Sequence, residues 1–128
     1  QIMNSRKVYA VDNAIPNRLG FRFSDNKGRL LENAVFIELQ RRGCEIYYFS
    51  EKYECDFLVK ENLDITEAIQ VTYGLNTENV TREIGGLAEA MQTFNIPKGT
   101  LIVVDNTNFP IDLPPGVSVI PAYEWLMN

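Results

Sequence analysis

The chain is predicted to be an α/β protein, a three-layer sandwich with a mixed central sheet. Two observations predict this class. An amphipathic helix is followed by three consecutive strands with short polar turns, and then by a second helix and a short, fully apolar strand. Short turns favour antiparallel pairing, whereas a helix between two strands predicts a right-handed parallel crossover. At 128 residues, residues 1–128 are expected to form a single domain.

The first helix is expected over Arg29–Arg42, after a short strand at Lys7–Asp12, a turn at Asn13–Asn17 and a polar loop at Ser24–Gly28. Its apolar residues recur at helical spacing and are expected to face the sheet. They are Leu30, Leu31, Ala34, Val35, Ile37 and Leu39. The following Gly43 suits the C′ position of this helix. Glu32 falls at the edge of the apolar face, where a carboxylate needs a partner.

Three consecutive strands are expected at Glu45–Phe49, Glu54–Lys60 and Ile65–Tyr73. In the second strand, alternation predicts one face with Cys55, Phe57 and Val59, and another with Glu54, Asp56 and Leu58. Because the next turn is short, Asp56 is expected to share a face with Gln70 and Thr72 of the third strand.

The second helix is expected over Thr77–Phe94, with an apolar stripe at helical spacing. Gly85 and Gly86 each cost about 1 kcal/mol of helix propensity relative to alanine. We therefore expect that they allow this helix to approach the sheet closely. An apolar strand at Thr100–Asp105 suits a buried parallel position. A last strand at Val117–Ile120 and a helical turn at Pro121–Met127 complete the chain.

Composition excludes several classes of function. The absence of histidine excludes histidine-based zinc sites and Ser-His or Cys-His catalysis. No G-x-x-x-x-G-K-[ST] loop is present, so ATP hydrolysis cannot reside in this chain.

Cys44 and Cys55 are expected to be reduced core thiols. With no apolar run of about 20 residues and no signal peptide, we expect a cytoplasmic location and no contact with a membrane.

The formal net charge of −5 is unlike that of most proteins that bind DNA non-specifically. A local basic face remains open as an alternative. Its candidate members are Lys27, Arg29, Arg41, Arg42 and Lys52.

Three short motifs lie on the first helix and on the second and third of the consecutive strands. They are Gly28–Asn33 (Gly-Arg-Leu-Leu-Glu-Asn), Glu54–Phe57 (Glu-Cys-Asp-Phe) and Ile69–Tyr73 (Ile-Gln-Val-Thr-Tyr). A glutamate on a helix, an aspartate on the next strand and an acid-x-Lys on the strand after it are the layout of a metal-dependent nuclease core. In this chain, the last two positions are Gln70 and Thr72.

At these residues the chain resembles the restriction-endonuclease-like PD-(D/E)xK superfamily, whose core is α-β-β-β-α-β. More narrowly, it resembles the uncharacterised C-terminal domain of prokaryotic AAA-like P-loop ATPases. The resemblance also includes Lys7–Asn13 and Thr81–Glu83, and it runs over nearly the whole chain. It implies a restriction-endonuclease-like fold in a piece of a longer ATPase, with the P-loop ATPase domain as a partner in the same polypeptide.

The resemblance also implies roles for four residues. Glu32 matches the helix glutamate, Asp56 the strand aspartate and Gln70 the acid, and these three would hold Mg²⁺. Thr72 matches the lysine. A glutamine offers the metal a carbonyl oxygen without charge, and a threonine offers no cation. Because losing one preorganised electrostatic group costs about 10²–10³ in rate, this site is expected to be catalytically degenerate. Arg82 or Lys60 is the candidate to replace the missing cation.

Three hypotheses therefore stand. The first is a degenerate nuclease-like accessory domain that acts through protein or nucleic-acid contact. The second is an active Mg²⁺-dependent DNA endonuclease, and the third is a protein–protein interaction module. Arg29 and Arg82 are the candidate contacts to nucleic acid. For Glu32, pairing with an arginine or a loop is the structural alternative to a role in the site.

Overall fold

The computed structural model describes residues 8–10, 26–105 and 110–128. Along the chain it has β1 (Val8–Ala10), α1 (Asn26–Arg41), β2 (Glu45–Ser50), β3 (Glu54–Glu61), β4 (Asp64–Thr72), α2 (Val80–Phe94), β5 (Lys98–Val103), β6 (Val117–Pro121) and α3 (Ala122–Met127). The six strands form one sheet in chain order. Neighbours from β1 to β4 pair antiparallel, and β4, β5 and β6 pair parallel. The predicted α/β class and mixed sheet are confirmed.

Helices cover both faces of this sheet. The core beneath α1 and α3 contains Leu31, Val35, Leu39, Phe57, Val59, Ile69, Val71, Ile102 and Trp125. The core beneath α2 contains Phe49, Cys55, Leu58, Ala68, Leu87, Ala90, Leu101 and Val103. Because strand side chains alternate between the faces of a sheet, β4 supplies Ile69 and Val71 to the first core and Ala68 to the second. The arrangement has three layers, with the sheet in the middle.

Helix α1 begins at Asn26. Residues 26–28 were expected to be part of a loop and are helical instead. The helix ends at Arg41, one residue before the predicted end. The predicted C′ role of Gly43 is confirmed, because this residue has a φ of 77° and its amide donates to the Gln40 carbonyl. The rest of the expected strand at Lys7–Asp12, the turn at Asn13–Asn17 and residues 24–25 of the loop lie outside the described residues.

Two residues of the predicted apolar face of α1 do not face the sheet. Leu30 is 69% exposed and Ile37 is 57% exposed. The buried stripe of this helix consists of Gly28, Leu31, Glu32, Val35 and Leu39. The expected face was too broad because a helix on a sheet buries only a narrow stripe.

A bulge changes the predicted faces of β3. Tyr47 pairs with Leu58 and Phe49 pairs with Cys55, so two steps along β2 match three along β3. The extra residue breaks the alternation. Cys55 consequently faces α2 together with Leu58, whereas Phe57 and Val59 face α1. The prediction that Cys55 and Phe57 share a face is therefore wrong.

Helix α2 begins at Val80 and not at Thr77, because residues 76–79 form a turn instead. In this turn the Asn76 side chain accepts hydrogen bonds from the amides of Glu78 and Asn79. The expected close approach of α2 to the sheet is present. A Cβ added to Gly86 would overlap the Glu54 carbonyl oxygen and the Gln70 side-chain nitrogen. The helix therefore lies directly on the first residue of β3.

Candidate functional site

The Gln70 side chain lies between β3, β4 and α2, and all of its polar atoms bond to the backbone. Its Oε1 accepts a hydrogen bond from the Asp56 amide at 2.9 Å. Its Nε2 donates to the Glu54 carbonyl at 2.8 Å and to the Glu83 carbonyl at 3.0 Å. A carboxamide has two N–H donors, so this group has used both of them. Gln70 is 1% exposed and joins three elements.

Asp56 is fully buried beside this glutamine. Its Oδ2 accepts a hydrogen bond from the Val71 amide at 2.8 Å, while its own amide donates to Gln70. The backbone register of β3 and β4 runs from Glu61↔Asp64 to Phe57↔Ile69. At Asp56 and beyond, side chains take the place of backbone partners. The predicted proximity of Asp56 and Gln70 is therefore present.

Glu32 occupies the buried stripe of α1 and is 2% exposed. The Gln70 carboxamide contacts α2, which covers the opposite face of the sheet from α1. The Glu32 and Gln70 side chains thus lie on opposite faces of the sheet. Among the described residues, no group of three or more Asp, Glu or Cys side chains is placed to hold a metal ion.

Thr72 is 8% exposed, and its hydroxyl donates to the Gly74 carbonyl at 3.2 Å. The two candidate replacement cations both lie beside acids. Lys60 Nζ is 3.8 Å from Glu45 Oε2, and the Arg82 guanidinium is 3.0 Å from Glu83 Oε2. Arg82 is thereby tied to the residue whose carbonyl binds Gln70.

Two buried groups at this site were not among the predicted residues. The first is Glu83, whose side chain is fully buried. It lies four residues before Leu87 and seven before Ala90, so the apolar stripe of α2 carried the signal. The second is Tyr48, which is 4% exposed. Burial, then hydrogen bonding to Glu54, raises the pKa of its phenol well above the ordinary value. Tyr48 therefore stays neutral.

Eight described cations each contact a neighbouring side chain. Five of them lie within 4 Å of a carboxylate: Arg41 and Arg42 beside Glu38, Lys60 beside Glu45, Arg82 beside Glu83 and Lys98 beside Glu67. Lys27 and Lys52 lie over the Tyr73 and Tyr53 rings. Arg29 donates to the Asn26 side chain at 3.1 Å. Three of the six candidate DNA contacts, Arg41, Arg42 and Arg82, thus have an acidic neighbour that opposes phosphate binding.

The chain is similar to the uncharacterised protein MJ1544 of Methanocaldococcus jannaschii. The two are 34% identical over 134 residues, which cover 95% of this chain and 29% of that protein. The chain thus spans less than a third of the length of this relative. No protein-family model matches the chain, and no solved structure matches it. In the described part of the chain, no helix is both long enough and apolar enough to cross a membrane.

Proposed function

We propose that the chain is a catalytically degenerate, nuclease-like accessory domain of a P-loop ATPase, and that it acts through contact with protein. The observation that carries the proposal is the Gln70 carboxamide, whose three hydrogen bonds all go to the backbone. A restriction-endonuclease-like site needs a carboxylate at this position, aimed at a metal ion. This side chain instead joins β3, β4 and α2.

Charge explains why the substitution disables the site. Mg²⁺ binds hard oxygen ligands, and carboxylates supply both the oxygen and the negative charge. The only oxygen of the Gln70 side chain already accepts a hydrogen bond from the Asp56 amide, so it could offer a metal one remaining lone pair and no negative charge. Thr72 supplies no cation for a scissile phosphate, and its hydroxyl already bonds to Gly74. Two of the four expected groups are thus occupied with structural contacts.

Protein is favoured over nucleic acid as the contact because of charge. The formal net charge is −5, and five described cations lie beside carboxylates. Phosphate binding would have to compete with each of these pairs. The relative in which the matching segment fills only 29% of the length supports the placement of this domain beside others in one polypeptide. The resemblance to ATPase C-terminal domains supplies the identity of that neighbour.

A plasmid-nicking assay with Mg²⁺ or Mn²⁺ tests the loss of activity. The wild type and Asp56→Asn should both leave the supercoiled plasmid intact at the background rate. A commercial nuclease in the same buffer is the positive control. Metal-dependent nicking that disappears in Asp56→Asn would establish the active DNA endonuclease and overturn the proposal.

A DNA-binding titration across salt concentrations tests the choice of protein over nucleic acid. We expect no saturable binding at about 50 mM salt, where a protein contacting several phosphates binds strongly. Binding whose logarithm falls with the logarithm of salt, and which weakens in Arg29→Ala or Arg82→Ala, would instead make nucleic acid the partner. Glu78→Ala, a change on the exposed turn before α2, is a suitable control.

A further inference from the structure

An apolar outer ridge lies on α1 and α3, on the side away from the sheet. It consists of Leu30, Ile37, Tyr123 and Met127, whose exposed fractions are 69%, 57%, 68% and 82%. No other helix in the described residues has large apolar side chains this exposed. Large apolar side chains left exposed on two helices that are in contact make a candidate interaction surface.

Helix geometry shows that the outer ridge does not belong to the core. Leu30 and Ile37 are seven residues apart and so share one face of α1. The buried residues of that helix, centred on Val35, lie on the opposite side. In α3, Tyr123 and Met127 are four residues apart, while Ala122 and Trp125 point inward. Neither pair is needed to cover the sheet.

An arginine directly after α1 links the two helices of the ridge, which also share a hydrophobic core. The Arg42 guanidinium lies 4.4 Å from the centre of the Trp125 ring. It also donates to the Trp125 carbonyl at 2.9 Å and to the Asn128 carbonyl at 3.1 Å. These contacts fix the chain directly after α1 against α3. The outer ridge is therefore a preformed surface on two joined helices.

The two halves of the ridge carry opposite charge. The exposed charged side chains of α1 are Lys27, Arg29 and Arg41, all of them cations. The two acids of α1 do not cancel this positive charge, since Glu32 is buried and the Glu38 carboxylate pairs with Arg41 and Arg42. On α3, the exposed charged residue is Glu124.

We propose that the outer ridge binds a second copy of this chain, with α1 of one protomer packed against α3 of the other. A two-fold axis makes each such contact twice, so one protomer supplies both halves of the match. Leu30 and Ile37 would be covered by Tyr123 and Met127 of the second copy. Glu124 would then approach the cationic side of α1, whereas packing α1 on α1 would bring cations together.

The opposite charges of α1 and α3 are the reason for choosing a second copy of the chain over an unlike protein. An unlike partner would place no requirement on α1 and α3 to have complementary charges. A self-complementary pair does, because each helix meets the other. This inference is independent of the metal site and of the proposed function.

Sedimentation equilibrium of the wild type tests the inference. We expect the mass to rise with concentration from 14.6 kDa towards twice that value. Ile37→Asp and Met127→Asp, made singly, should each weaken self-association at least tenfold, because each places a carboxylate within the apolar contact. Glu124→Arg should weaken it as well, since it would bring cations together. Circular dichroism should show folded variants, because these side chains are exposed.

Leu63→Asp is the matched control. Leu63 is 84% exposed on the turn between β3 and β4, far along the chain from both ridge helices, and its substitution should leave the mass unchanged. A mass of 14.6 kDa at every concentration up to about 1 mM would overturn the inference. A dimer that persists in Ile37→Asp and Met127→Asp but is lost in Leu63→Asp would overturn it too.

Discussion

The side chains of Gln70 and Asp56 each accept a hydrogen bond from a backbone amide of the neighbouring strand, between the two central strands of the sheet. The Gln70 carbonyl oxygen accepts from the Asp56 amide, and the Asp56 carboxylate accepts from the amide of Val71, the residue after Gln70. The pair extends the joining of β3 and β4 past the last backbone register at Phe57↔Ile69. The Gln70 carboxamide therefore stabilises the packing of β3, β4 and α2.

Gln70→Glu should destabilise the fold by about 3 kcal/mol or more. The new carboxylate would face the Glu54 and Glu83 carbonyl oxygens, so two hydrogen bonds are lost and a buried charge has no donor there. Urea unfolding measures the loss. Gln92→Glu, on the exposed side of α2, is the matched control and should change stability by no more than about 0.5 kcal/mol. Equal effects of the two substitutions would contradict the structural role.

The deficit of Gln70→Glu should also shrink at low pH. Burial against carbonyl oxygens raises the pKa of the introduced carboxyl group in the folded state above its unfolded value. Protonation then restores one donor, so the free energy of unfolding should approach that of the wild type as the pH falls below about 5. Paired urea titrations at pH 7 and pH 4.5 measure this difference. A deficit that is independent of pH would show that the carboxylate reaches solvent.

Gly86→Ala should be destabilising even though alanine favours helices by about 1 kcal/mol. The added methyl group would overlap the Glu54 backbone oxygen, which cannot rotate away, and the Gln70 amide nitrogen. Overpacking of this kind costs about 1–3 kcal/mol. Gly85→Ala is the comparison, because its methyl group would meet the Tyr53 ring at 2.9 Å, and a half-buried ring can shift. Thermal melting should rank Gly86→Ala clearly below Gly85→Ala.

Arg42→Ala should loosen α3, whereas Arg41→Ala should not. The Arg42 side chain combines the contact with the Trp125 ring and two carbonyl hydrogen bonds, for which we expect a loss of about 1–3 kcal/mol. The Arg41 side chain is 67% exposed and pairs only with Glu38 on the surface, a contribution of about 0–1 kcal/mol. Amide hydrogen exchange should become faster in α3 only in Arg42→Ala. Similar exchange in both variants would mean that another contact holds α3.

Glu38 should show an acid-dependent contribution to stability. Hydrogen bonds from Arg41 and then Arg42 lower the pKa of its carboxyl group to about 2. A lowered folded-state pKa contributes stability above the unfolded value of 4.5, and this contribution is lost as the pH falls towards 2. The difference in stability between wild type and Glu38→Gln should thus be present at pH 6 and vanish near pH 2. A carbon-13 titration of the Glu38 carboxyl group would check the pKa directly.

Hydrophobic periodicity and turn signals were enough to predict the α/β class, the antiparallel order of β2 to β4 and the parallel β4–β5 pair. They did not predict the faces of β3, because the bulge depends on how β3 pairs with β2. The alternation of residues within one strand gives no information about that pairing. They also failed at Leu30 and Ile37, because apolar residues on a helix show hydrophobicity without showing what covers it.

For the candidate site, spacing alone was enough to place Asp56 beside Gln70. The use of the carboxamide was not predictable, since it depends on the Glu83 carbonyl in α2, thirteen residues later in the chain. Glu83 itself was missed although it lies on the apolar stripe of α2. A buried acid at such a position is evident from the sequence only when the stripe is inspected for polar residues as well as apolar ones.

The contact of Arg42 with α3 can form only after the chain has been synthesised as far as Trp125. Trp125 lies in the core that α1 covers, together with Leu39 of α1 and Ile102 of β5. During synthesis α1 and the first four strands leave the ribosome well before Trp125 does. At about 5–20 residues per second, several seconds separate Arg42 from its partner. For that time the core beneath α1 lacks Trp125, so the apolar side chains that Trp125 covers stay partly exposed.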